Sequence, residues 1–205
     1  MSLTDWIVGL REKRLRKKFA VLGDGARFLG LQTEVKGRVE AGSGCCFGNN
    51  LVFRTHKGGV IVLGDNVEIG DYALLLSNSN LHIGNGVFIG PHCVLRDTNH
   101  LFQGTDVHWR LTPHVTEPIT VCDNAYIGGR TYVMPGVTIG ADAVIGPASV
   151  VTKDVPPGEM WAGSPARLIA HRTDPSKRAK FKRDIELAAL FGLDTAAEDN
   201  AGGQE

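Results

Sequence analysis

"VCDNAYIGGRTYVMPGVTIGADAVIGPASVV", residues 121–151, decides the fold. Aliphatic residues stand at Val121, Ile127, Val133, Ile139, Ile145 and Val151, six apart at every step. Two residues before the later ones come Ala125, Thr131, Val137 and Ala143, all small or β-branched. A helix needs a period of about 3.6 residues and a half-buried strand a period of about 2. Six fits neither as a single element. It fits a short strand of about four residues with its turn, repeated, the aliphatic residue pointing inward at a corner. The residue two before it also points inward, because strand side chains alternate. The Gly, Asn or Asp that follows is expected to absorb the turn's unusual backbone angles. Three such hexads close a triangular coil, and coils stack around one core through parallel hydrogen bonding.

Working outward, the same step links Leu63, Ile69 and Leu75, then Ile83, Ile89 and Leu95, with Val67, Ala73, Val87 and Cys93 as inner partners. Leu29, Val35, Ala41, Phe47 and Phe53 carry it further upstream. Departures mark excursions. The step is ten between Phe53 and Leu63, where "THKGG" reads as a bulging turn, and eight between Leu75 and Ile83, where "SNSN" adds two residues at a corner. Between Leu95 and Val121 it is 26, which leaves an inserted loop at 101–118. Loops longer than about 12–15 residues are commonly functional or disordered. This one carries Phe102, Trp109, His108 and His114, with His100 at its root, and is not composed like a disordered linker.

Lys+Arg and Asp+Glu both number 22, so no bulk charge draws the chain to nucleic acid. No secretory h-region and no run of about 18–20 apolar residues is present, and a cytoplasmic protein is expected. Cys45, Cys46, Cys93 and Cys122 lack CxxC spacing and read as reduced and structural. "GSGCCFG" at 42–48 lacks the Lys-Ser/Thr of a phosphate loop. Residues 1–20 read as a basic helix with Trp6, Ile7, Leu10 and Phe19 on its apolar side. It either packs over the open end of the solenoid, the preferred reading, or rests weakly on an anionic membrane surface. Residues 173–193 read as a second helix, capped by Asp174 or Ser176 and stopped at Gly192, and the tail 194–205 as disordered.

The hexads, closed by "TKDVPPGEMWAGSPARLI", resemble the hexapeptide-repeat acyltransferases, in their galactoside and maltose O-acetyltransferase branch, over residues 21–172. The resemblance implies an all-β solenoid, a left-handed parallel β-helix with short N- and C-terminal helices, opposite in hand to the usual crossover. It implies acetyl-CoA as donor and a homotrimer with sites between subunits. His100, in "DTNH", occupies the slot of the family's general base, a task suited to a near-neutral pKa. The backbone N–H of Gly129 occupies the oxyanion slot. Tyr126 stands where the family usually has Trp, beside the acyl–thiol end of the donor. Gly146 and Pro147 would meet the pantetheine arm, Thr152 and Lys153 the adenine end, and Arg167 and Arg172 the phosphates.

Acceptor recognition falls to Asn78, His108, Trp109 and His114. The acceptor side departs from the family, which carries Asn and Asp where this chain has Gly70 and Asn78, so a different sugar is expected. The expected function is acetyl-CoA-dependent O-acetylation of a sugar or glycoconjugate precursor. The alternatives are N-acetylation of a nucleotide-linked amino sugar and acetylation of a xenobiotic. The γ-type carbonic anhydrases share the fold and bind zinc, but the chain lacks their His-x4-His pair and no metal site is expected.

Overall fold

The structure, a computed structural model, describes residues 3–30, 32–101, 104 and 106–173. It is a left-handed parallel β-helix with three faces. Face A stacks six strands from Val21–Leu22 to Thr138–Ile139. Face B stacks eight, from Arg27–Phe28 to the closing hairpin Glu159–Gly163 and Ala166–His171. Face C stacks six, from Glu34–Lys36 to Val150–Val151. Strands within the coils run two to four residues, shorter in places than the four expected.

The step of six becomes register. Ile83 lies beside Val121, Ile89 beside Ile127, and Leu95 beside Val133 on consecutive coils. These side chains are completely buried, as are the inner partners Val87, Cys93 and Ala143. Each coil thus adds a layer of aliphatic residues at the corners and small ones between them, filling a narrow triangular interior. The four cysteines are free, three of them buried.

Two details differ from expectation. The glycines after the aliphatic positions are not the left-handed residues. The positive φ angles fall two residues further on, at Asn66, Tyr72, His92, Asn124, Arg130, Asp142 and Ala148. The glycines answer a different demand, the closeness of the next coil. A Cβ on Gly90 would lie 2.5 Å from the Gly129 nitrogen, and one on Gly64 would lie 2.5 Å from Asn85 Oδ1. Upstream, Leu29 is 71% exposed, and Phe28 instead pairs with Phe47 while Leu22 pairs with Ala41. The repeat therefore runs Leu22, Phe28, Val35, with one extra residue in the turn before Thr33.

The N-terminal helix Leu3–Arg16 meets the solenoid through its last turn. Leu15 is buried, and Phe19 just beyond it packs its ring 5.6–6.1 Å from those of Phe28, Phe47 and Phe53. Arg16 donates to the Ala26 carbonyl at 2.6 Å and pairs with Glu12 at 2.8 Å. This aromatic plug closes the first coil, whose core would otherwise face water. Leu10 stays 37% exposed, and the side chains of Trp6 and Ile7 lie outside the described residues. So do the expected helix beyond Thr173 and the tail 194–205. No helix among the described residues is long and apolar enough to cross a membrane.

Because Ile127 is fully buried between Ile89 and Ile145, Ile127→Ala should lower unfolding free energy by about 2–5 kcal/mol. Thr138→Ala, on an exposed outward position, should change it by less than about 0.5 kcal/mol. Denaturant titrations at matched protein concentration measure both.

Candidate active site

The flat coil opens where face C should turn into face A. Val94–Arg96 is followed by an antiparallel ribbon, Thr98–His100 against His114–Thr116, rather than by a tight corner. The ribbon begins three residues before the loop expected at 101–118 and supplies that loop with structure of its own.

Its root is Asp97, which is completely buried. The carboxylate accepts from Ser77 Oγ at 2.7 Å, from the N–H groups of Asn78 and Ser79 at 2.8 and 2.9 Å, and from Thr98 Oγ1 at 2.8 Å. The Asp97 carbonyl accepts from the Glu117 N–H at 2.9 Å, closing the base of the ribbon. One buried side chain thus ties the "SNSN" corner of the coil below to the strand that leaves. Burial of a carboxylate is tolerated only when its oxygens are this fully bonded.

On the ribbon, cross-strand partners share a face. Thr98 meets Thr116, with hydroxyls 3.2 Å apart, and His100 meets His114, with ring centroids 4.3 Å apart. The Thr112 hydroxyl lies 3.3 Å from His100 Nδ1. Desolvation holds the His114 pKa below the ordinary value of 6.5, and the charges of His100, Lys57 and Arg96 push the same way. Beneath the ribbon is a cleft of about 570 Å³ whose lining includes Asn78, Thr98, His114, Arg96 and Lys57.

A second groove, of about 520 Å³, follows the corner between faces B and C, with Tyr72, His92, Gly129, Arg130 and Pro147 in its lining. The Tyr72 and His92 rings stack at 4.9 Å. Pro91, Gly129 and Pro147 occupy the same corner position on successive coils, and of these three Gly129 alone has an N–H to give. Tyr126 is 45% exposed and stacks on Phe88 at 4.8 Å, presenting a flat ring on face B.

The residues singled out from sequence fall into separate groups. Asn78, His100 and His114 come together at the corner between faces C and A. Gly129 and Pro147 share the groove at the opposite edge of face C, with Gly146 beside them donating to the Trp161 carbonyl at 2.8 Å. Thr152 and Lys153 are exposed where face C ends in the last coil. Arg167 bonds the carbonyl of Ala166 at 2.8 Å, and Arg172 pairs with Asp142 at 3.3 Å on the corner between faces A and B. His108 is exposed and accepts from the Arg110 N–H at 3.3 Å, while Trp109 begins a single 3-10 turn, Trp109–Leu111. Asp97, Thr98, Thr112 and Thr116 were not singled out from sequence. The only signal was position, since Asp97 is the last residue before the rhythm breaks. Among the described residues, no three His, Cys, Asp or Glu side chains gather where they could hold a metal ion.

In an NMR titration of the imidazole protons, His114 should titrate below 6.5, and Lys57→Gln should move its midpoint upward by removing one opposing charge. An unshifted His114 would mean that the ribbon does not hold the two rings together.

The family model described as bacterial transferase hexapeptide (six repeats) matches residues 118–153. The galactoside O-acetyltransferase of Escherichia coli is 38% identical over 128 residues, 58% of this chain and 61% of that protein, so the chain spans less than two thirds of it. WcaF of the same species, an acetyltransferase named for colanic acid biosynthesis, is 31% identical over 134 residues, 64% of this chain and 71% of that protein. Among solved structures, a maltose O-acetyltransferase from Clostridium difficile superposes with a TM-score of 0.54 at 25% identity, covering 78% of this chain and 74% of that one. The N-acyltransferase AntD from Bacillus cereus, with a TM-score of 0.65 at 16% identity over 86% of this chain and 96% of its own, shares the fold. Repeat, register and relatives agree that the chain belongs to the hexapeptide-repeat acyltransferase family, in the branch of the galactoside and maltose O-acetyltransferases.

Proposed function

We propose that the protein transfers an acetyl group from acetyl-CoA to a hydroxyl of a sugar or glycoconjugate precursor, with His100 as general base. The observation that carries this reading is the ribbon, which sets His100 against His114 beside a cleft that also holds Asn78. The names of the galactoside and colanic acid relatives support the acceptor class. AntD, crystallised with coenzyme A, supports the donor.

Acetyl-CoA supplies a thioester carbonyl open to attack. The residues that would hold its acyl end are Tyr126, whose ring is exposed on face B, and Gly129 and Pro147 in the groove at the corner between faces B and C. His100 accepts the hydroxyl proton at Nε2 as the acceptor oxygen attacks, and Thr112 at Nδ1 fixes the ring. The lowered pKa of His114 favours its neutral form, which does not oppose the charge that His100 acquires. The Gly129 N–H meets the negative charge building on the carbonyl oxygen. His100 then returns the proton to the departing thiol.

His100 and Gly129 flank face C on opposite edges, so in this reading one chain supplies the base and a neighbour the N–H donor. Three prisms packed side by side, as a homotrimer, make three such sites. A cytoplasmic location matches the supply of acetyl-CoA.

Thiol release from acetyl-CoA with a panel of sugars tests the reaction. His100→Ala should lower kcat by about 10²–10⁴ with donor affinity and assembly unchanged. Gly129→Pro removes the donor at a corner position that Pro91 and Pro147 already occupy, and should cost about 10²–10³ in kcat. Near-normal turnover by His100→Ala would contradict its assignment, and an active monomer in light scattering would contradict the trimer.

A further inference from the structure

The cleft beneath the ribbon is cationic, although the chain as a whole carries no net charge. Arg54 and Arg96 flank Leu76 in register on the outer side of face C, two rungs apart, hence about 10 Å between backbones. Lys57 stands at the tip of the neighbouring turn, with φ 53°, and His56 and His114 complete the wall. The carboxylates nearby offset this charge only in part. Asp97 is buried and already accepts from Ser77, Asn78, Ser79 and Thr98. Glu34 is shared between Arg54 at 2.6 Å and Lys36 at 3.3 Å. Among the described residues, neither Lys57 nor Arg96 pairs with a carboxylate. Asn78 adds hydrogen-bonding capacity without charge.

Two cations without a carboxylate partner beside a concave surface favour an anion that can join them. The phosphates of acetyl-CoA are not that anion. When the thioester lies at His100, the whole pantetheine arm separates them from it, whereas this cleft reaches His114, the cross-strand partner of His100. The anion therefore belongs to the acceptor.

Resting on the acetyltransferase reading above, we propose that the acceptor is an anionic sugar, whose carboxylate or phosphate is held by Arg96 and Lys57, with Arg54 behind them, while its hydroxyl faces His100. A guanidinium binds either oxyanion through paired N–H groups, so the shared requirement is an oxyanion attached close to the acetylated ring. The cleft then acts as a specificity filter: a neutral sugar leaves the cations uncompensated, and an anionic one neutralises them as it aligns its hydroxyl.

The test compares one ring in three charge states, glucose, glucose 1-phosphate and glucuronate, as acceptors for the full chain at low and high salt. A charged acceptor should show a kcat/KM about ten-fold or more above that of glucose, falling with salt. Whether the phosphate or the carboxylate gains more identifies the source of the oxyanion. Arg96→Gln and Lys57→Gln should each raise KM for the charged acceptor by about ten-fold, with KM for acetyl-CoA unchanged and Arg96→Lys partly restoring binding. Equal losses on glucose, or a raised KM for acetyl-CoA, would overturn the proposal while leaving the acetyltransferase reading intact. If no sugar is acetylated, calorimetry with glucose 1-phosphate and glucuronate decides. Binding that weakens in Arg96→Gln sustains the anion site without the reaction, and no binding of either overturns it.

Discussion

Each coil of this protein is held by the coil above and the coil below, at the spacing of a parallel ladder, and everything else follows from that closeness. It forces glycine at the corners where a Cβ would strike the next coil, as at Gly90 below Gly129. It sorts large aliphatic residues to the corners and small ones between them, so that Ile89 and Cys93 repeat in Ile127 and Thr131. A stack built this way has flat sides, with a groove at the corner that carries Gly129 but no walled cleft. Chemistry has to come from a departure, and a departure needs an anchor.

Asp97 is that anchor. Its carboxylate gathers four donors from two coils, turning the loss of a tight corner into a defined exit for the ribbon. The antiparallel pairing then fixes His100 against His114 without using any of the solenoid's core. Rigidity from the coil and reach from the excursion divide the work: the coil fixes where the ribbon leaves, and the ribbon carries His100, the proposed base, with the surroundings proposed to select an acceptor. The cations on face C extend the same surface, because ladder register places Arg54 and Arg96 on one column.

Most of the fold was legible in the sequence because a six-residue step is a geometric statement: every aliphatic position from Leu63 to Val151 is buried as read. The reading slipped where geometry allows more than one answer. Leu29 and Phe28 are both apolar neighbours, and one extra residue in the following turn moved the register, so Phe28 took the inward place. The corner glycines were ascribed to backbone angles when the cause is the neighbouring coil, a contact between residues roughly twenty or more apart that no local pattern reveals. The position of His100 at the break was readable. Its pairing with His114 was not, since the register of a ribbon depends on where its turn falls. The cationic cleft was invisible for a related reason: Arg96 is distant in sequence from Arg54 and Lys57 and meets them only through stacking.

In the proposed reaction, base and oxyanion donor come from different copies of the chain. Co-refolding equal amounts of His100→Ala and Gly129→Pro chains tests this. If each site takes its His100 from one subunit and its Gly129 from the next, the co-refolded sample as a whole regains about a quarter of wild-type activity, because statistical assembly restores intact pairs. If the mixture remains as inactive as either variant alone, both groups act within a single chain, and the site between subunits is wrong.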